Sequence, residues 1–158
     1  MVKHIINLSG VIDRGKSSIL EILKEYVKAV KEGDNCGPNW LAIGNWKDSN
    51  IGIISVEPND VEYVSYAINK LLKEENVEII ICESGNIETK GSVYRHLWET
   101  YKNDKYNLIE MLPIFSYGDY GKCSSLYKEA HQSFMEKLNE VSAKNILNLI
   151  DLLIKIDW

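Results

Sequence analysis

The chain of 158 residues reads as an α/β protein: three α/β/α layers around a mainly parallel sheet of about five strands, one of them a hairpin strand, with helices at the C-terminus. Three observations predict this. Short runs such as Ile5-Ile6-Asn7-Leu8 and Ile79-Ile80-Ile81 are apolar without alternation, as expected of strands covered on both faces. Segments with helical periodicity stand between them. A single pair of short apolar stretches is spaced as a hairpin.

In chain order, residues 3–9 are expected to form a buried strand. A helix is expected over 16–32, with Ile19, Leu20, Leu23, Val27 and Val30 at helical spacing and Gly33-Asp34-Asn35 closing it. Asn35–Asn39 is turn chemistry. Trp40–Trp46 and Ile51–Val56 read as the hairpin around Lys47-Asp48-Ser49-Asn50, and Trp40 and Trp46 as core or interface residues. Asn59 or Asp60 caps a helix over 61–75 that places Val61, Val64, Ala67, Ile68, Leu71 and Leu72 on one face. Val77–Cys82 is the central strand and leads into Glu83-Ser84-Gly85. A helix follows over 92–102, then an apolar stretch over Asn107–Phe115 interrupted by Pro113. Ser116–Cys123 is a Gly/Tyr-rich loop that could stack on a base or cover a substrate, although a surface turn whose tyrosines pack on the last helices is the favoured account. From Ser124 a helix carries Tyr127, Ala130, Phe134, Leu138 and Val141, and Ser142 is read as the cap of a separate last helix, Ile146 to Ile156. There is no repeat or linker, so residues 1–158 read as one domain.

Composition narrows the function. Net charge is −5, and of eighteen Lys and Arg only Arg14 and Arg95 are arginines, which argues against nucleic acid as a partner. No apolar run approaches a membrane span. The three cysteines, Cys36, Cys82 and Cys123, lack Cys-x-x-Cys spacing and read as reduced thiols, which places the protein in the cytoplasm. His4, His96 and His131 lie in unrelated segments and form no metal-ligand pair. Nothing in the sequence bars oligomerisation.

The chemistry concentrates at the first βα turn. Gly10-Val11-Ile12-Asp13-Arg14-Gly15-Lys16-Ser17 fits Gly-x-x-x-x-Gly-Lys-Ser between a strand and a helix. Gly10 and Gly15 let the backbone approach an anion, and the loop amides from Gly10 through Ser18 face it at the helix N-terminus. Lys16 is positioned for the β/γ-phosphates and the Ser17 hydroxyl for Mg²⁺. A carboxylate at the end of a neighbouring strand is also needed to orient the metal's water. Glu83 has the stronger strand before it; Glu57 follows Ile51–Val56 and is the alternative, with Asp60 beside it.

The stretch Gly10–Ser17 resembles the Walker A motif of the P-loop NTPase superfamily, and the order of elements resembles its kinase–GTPase branch. The resemblance implies a P-loop fold that binds a nucleoside triphosphate, ATP in the first instance, with Mg²⁺. Lys16 would act on the phosphates together with Glu83 or Glu57, Ser17 and Glu83 would serve the metal, and a small molecule would be the acceptor. Asp13 gives the loop a form similar to that of translational GTPases. However, Glu57-Pro58-Asn59-Asp60 stands where Asp-x-x-Gly would follow the hairpin, and no Asn-Lys-x-Asp is present, so the GTPase reading is discounted. The arginine-rich lid of small-molecule kinases has no counterpart; Lys90 with Arg95, and Lys122, are the nearest candidates. The alternative to an ATPase or phosphotransferase is a nucleotide-dependent switch with slow or absent turnover.

Overall fold

The computed structural model describes residues 4–10, 15–32, 37–74, 76–85, 90–114 and 125–156. Their elements run β1 (His4–Ser9), α1 (Lys16–Tyr26), β2 (Val30–Lys31), β3 (Trp40–Trp46), β4 (Ser49–Ser55), α2 (Val61–Lys73), β5 (Val77–Ser84), α3 (Val93–Tyr101), β6 (Asn107–Met111) and α4 (Ser125–Leu153). The six strands form one sheet in the order β2-β3-β4-β5-β1-β6.

The sheet is mixed rather than mainly parallel, and it has six strands rather than about five. β4, β5, β1 and β6 run parallel, whereas β3 is antiparallel to both β4 and β2. The extra strand comes from the segment expected to continue the first helix to residue 32. Helix α1 stops at Tyr26 because Lys28 takes a positive φ of 51° and the amides of Lys28 and Ala29 fold back onto Glu25 and Lys24. Val30, which helical spacing assigned to the core, is 70% exposed and pairs with Ile43.

The layers follow from the period-two alternation of the strands. Ile6, Leu8, Ile53 and Ile81 face α1 and the last turns of α4. Ile5, Ile54, Ile80 and Cys82 face α2 and α3. Burial pushes the Cys82 thiol up, so it behaves as a small core residue. The hairpin closes in two residues, Lys47 and Asp48, both at positive φ, so β4 begins at Ser49, two residues before the expected start. Trp40 is buried, and half-buried Trp46 donates its Nε1 hydrogen to Asp151 at 2.8 Å.

The expected pair of C-terminal helices is a single helix, α4. Glu140-Val141-Ser142-Ala143-Lys144 contains no Gly or Pro to end it. Ser142 is buried, and its Oγ accepts from the Ile114 amide at 3.0 Å instead of capping a helix. The face expected to be apolar core, Tyr127 to Val141, is largely exposed. Among the described residues no helix is long and apolar enough to cross a membrane.

Candidate functional site

The parallel strands β1, β4 and β5 end at one edge of the sheet, where ligand sites of such sheets lie. A cleft of about 500 Å³ opens there, lined among the described residues by Gly15 to Ser18, Pro38, Val56 to Pro58, Glu83 and Ser84. Gly15, Lys16, Ser17, Ser18, Glu57 and Glu83 of the sequence reading therefore share one cleft. Val11, Ile12, Asp13 and Arg14 lie outside the described residues, as do Lys122 and the Gly/Tyr-rich loop.

Gly15 precedes α1 in the left-handed region, with φ 78°. A Cβ there would overlap Asn139 Oδ1 and stand 3.0 Å from its Cγ, so glycine is required twice over, by backbone and by neighbour. Among the described residues no side chain caps α1, whose N-terminus stands at the cleft. Lys16 is only 8% exposed. Its ammonium donates to the carbonyl of Gly10 and, at 2.9 Å, to that of Ser84, so it joins the ends of β1 and β5.

Glu83 is 5% exposed and stands one residue before the end of β5, the strand that pairs directly with β1. Its carboxylate accepts from the Ser17 hydroxyl at 3.2 Å, from Ser55 Oγ at 2.9 Å and from the Val56 amide at 3.1 Å. Burial pushes the carboxyl above its ordinary range; the hydrogen bonds from Ser55, Val56 and Ser17 and the Lys16 charge pull the other way and do not prevail.

The alternatives fall differently. A GTPase-like order would set the strand after the hairpin beside β1, but β5 and β6 flank β1 and β4 lies one strand further out. Glu57 is exposed at the rim of the cleft, and its backbone amide is tied to Asn39 Oδ1 at 2.9 Å. The Asp60 carboxylate caps α2 through the Tyr63 amide at 3.0 Å and accepts from Asn39 Nδ2 at 2.7 Å. Of the lid candidates, Lys90 is exposed and the Arg95 guanidinium pairs with Glu99 on α3; neither is among the described residues that line the cleft.

Three contributors went unseen in the sequence. Ser55 and the Val56 amide hold Glu83 from β4, two strands from β1, and only strand order reveals their role. Asn139 is 8% exposed against Gly15, and its Oδ1 is buried without a hydrogen-bond partner among the described residues. Asn139 stands four and seven residues before Ala143 and Ile146, both buried, and that helical spacing was the available signal.

The donor set fits a small divalent cation beside phosphate. A hydroxyl and a carboxylate are hard oxygen ligands, and Mg²⁺ takes one or two such protein ligands, completing its shell with phosphate and water. No group of three or more His, Cys, Asp or Glu able to hold a metal by itself occurs among the described residues. The chain matches no protein-family model, and no curated protein matches it in sequence.

Proposed function

We propose that this chain is a P-loop protein that binds a nucleoside triphosphate, ATP in the first instance, with Mg²⁺ at the β1–α1 turn, and acts as an ATPase or phosphotransferase on a small molecule. One observation carries the reading: the Lys16 ammonium, the Ser17 hydroxyl and the Glu83 carboxylate come together in one cleft at the N-terminus of α1. Lys16 would hold the terminal phosphates, and the α1 amides the phosphate nearest them. Ser17 and Glu83 would hold Mg²⁺, which when bound supplies charge neutralisation at the phosphate oxygens.

A second reading, a slow switch, draws on a specific observation. Lys16 is the sole cationic side chain among the described residues that line the cleft. Phosphoryl transfer is accelerated by further positive charge at the transferring group, and a cleft with one cation binds better than it turns over.

Calorimetry with ATP, GTP and their non-hydrolysable analogues, with and without Mg²⁺, tests the proposal. The expected result is Mg²⁺-dependent binding that Lys16→Ala weakens. Absence of heat with every nucleotide sinks it. Phosphate release measured on the same samples separates enzyme from switch.

A further inference from the structure

Helix α4 reaches the loop of the cleft at both of its glycine ends. At the C-terminal end, Asn139 is buried against Gly15, where a Cβ would stand 3.0 Å from Asn139 Cγ and Nδ2. At the N-terminal end the contact is relayed. Parallel register sets Met111 of β6 beside Leu8 of β1, so the chain that follows β6 passes Gly10. The buried Pro113 ring backs that glycine, with its Cδ 3.6 Å from the place a Cβ would take. The next amide, that of Ile114, donates to Ser142 Oγ at 3.0 Å. Asn139 and Ser142 are three residues apart, and so lie on one face of α4 within a single turn. Ala143, Ile146 and Leu147 anchor that face in the core. One feature of it serves no packing purpose. Asn139 Oδ1 is buried without a hydrogen-bond partner among the described residues. A leucine has the same branched shape and would fill the place without an unsatisfied oxygen, so the amide is kept at a cost to the folded state.

We propose that Asn139 and Ser142 are positioning residues for the triphosphate: one turn of α4 grips both ends of the phosphate loop, sets its backbone before the ligand arrives, and is held more tightly in return once the phosphates bind. The proposal rests on the reading of the cleft as a triphosphate site. A loop with glycine at each end loses more conformational freedom on ordering than one without. Fixing those ends during folding removes part of that loss from the binding step. In the bound state the free Asn139 Oδ1 accepts a loop N–H, so its hydrogen bonding is completed only with the ligand in place. Coupling of this kind is reciprocal: the factor by which α4 raises triphosphate affinity is the factor by which the triphosphate stabilises the grip of α4. Neither Asn139 nor Ser142 is among the described residues that line the cleft, so both act through Gly15 and Gly10 and not by touching the ligand.

Calorimetry and amide exchange followed by NMR test it on the full chain, with the Mg²⁺ complex of β,γ-imido ATP as the probe. Asn139→Leu and Ser142→Ala should each weaken binding about 2- to 12-fold, the equivalent of one net hydrogen bond. Asn139→Leu should at the same time keep or raise the urea midpoint of the unliganded chain, a split between affinity and stability that a merely structural residue does not produce. In the native chain a saturating probe should slow exchange of the Ile114 amide about 5-fold or more. The Asn45 amide, bonded to the Val27 carbonyl at the opposite end of the sheet, should be unaffected. Unchanged affinity in both variants, an Ile114 amide indifferent to the probe, or an Asn139→Leu chain whose affinity falls only in step with its urea midpoint overturns the positioning, while binding by the native chain leaves the reading of the cleft intact. A native chain that does not bind the probe overturns both.

Discussion

Gly15→Ala tests the geometry of the cleft without any ligand. Two costs add at this position. The backbone stands at φ 78°, where a Cβ costs about 1–2 kcal/mol. The new methyl also meets the Asn139 side chain, with Cγ and Nδ2 each at 3.0 Å and Oδ1 closer still. Asn139 is buried, so its amide must shift against packed neighbours, an overpacking cost of about 1–3 kcal/mol. The sum is a loss of about 2–5 kcal/mol, a large share of the stability of a single domain. Urea unfolding followed by tryptophan fluorescence and circular dichroism measures it. Asn139→Ala separates the two costs, because in the double variant only the backbone cost remains. The cycle should therefore show a coupling energy of about 1–3 kcal/mol between positions 15 and 139. Strict additivity, or a Gly15→Ala loss under about 1 kcal/mol, would refute the packing of α4 against the loop.

Three other outcomes are expected. Lys16→Ala removes charge-assisted bonds worth about 1.5–3 kcal/mol, so triphosphate affinity by calorimetry should fall about 10- to 150-fold; unchanged affinity would separate Lys16 from the ligand. Burial raises the Glu83 carboxyl above the ordinary carboxylate range, so the folded state holds its proton where the unfolded state has released it. Its contribution to stability is thus present below about pH 4.5 and is lost as pH rises through the folded pKa. The urea midpoint of Glu83→Gln should gain on the native protein as pH rises through that window, and a gap independent of pH contradicts the burial of the charge. Ser142→Ala leaves the Ile114 amide without its acceptor, which should cost about 1 kcal/mol and speed exchange of that amide while total helicity stays constant. A loss of helicity would restore the separate last helix.

The elements legible in the sequence are those in which local pattern and tertiary environment agree. Val77 to Cys82 reads as the central strand because β-branched residues on both faces suit a strand covered twice; the strand runs two residues further, to Ser84, and lies between β4 and β1. Of the two caps expected for α2, Asp60 is the one used, accepting from the Tyr63 amide, whereas Ser92, expected as the first residue of its helix, caps α3 by accepting from the Arg95 amide. The errors arose where one residue type serves two structures. Val30 keeps helical spacing from Val27, but the chain has already turned at Lys28, and valine suits an edge strand equally well. Ser142 resembles a cap, yet a serine inside a helix is equally placed to bind a passing amide. In the cleft, Lys16 and Ser17 were readable because the loop is contiguous. The choice between Glu83 and Glu57 was not, because it depends on which strand pairs with β1, a long-range fact that neither local run encodes. Glu83 came into contact with Ser17 through β5, 66 residues further along the chain.

The arrangement around Glu83 also bears on how a ligand would be received. Lys16 and Glu83 are both largely withdrawn from water, and each is held by groups of the chain itself: carbonyls of Gly10 and Ser84 for the ammonium, and Ser17, Ser55 and the Val56 amide for the carboxylate. Their desolvation is therefore met during folding, before any ligand arrives, and the side chains are already oriented by the ends of β1, β4 and β5. The raised pKa of Glu83 indicates that these bonds do not fully compensate the buried negative charge. A divalent cation between Ser17 and Glu83 would supply the missing compensation, and with it the carboxyl would ionise at lower pH. Metal binding at this position should consequently release a proton when the pH lies near the folded pKa, and the measured heat should then vary with the ionisation enthalpy of the buffer. Heats that are the same in buffers of different ionisation enthalpy, at a pH inside that window, would mean that the cation does not meet Glu83.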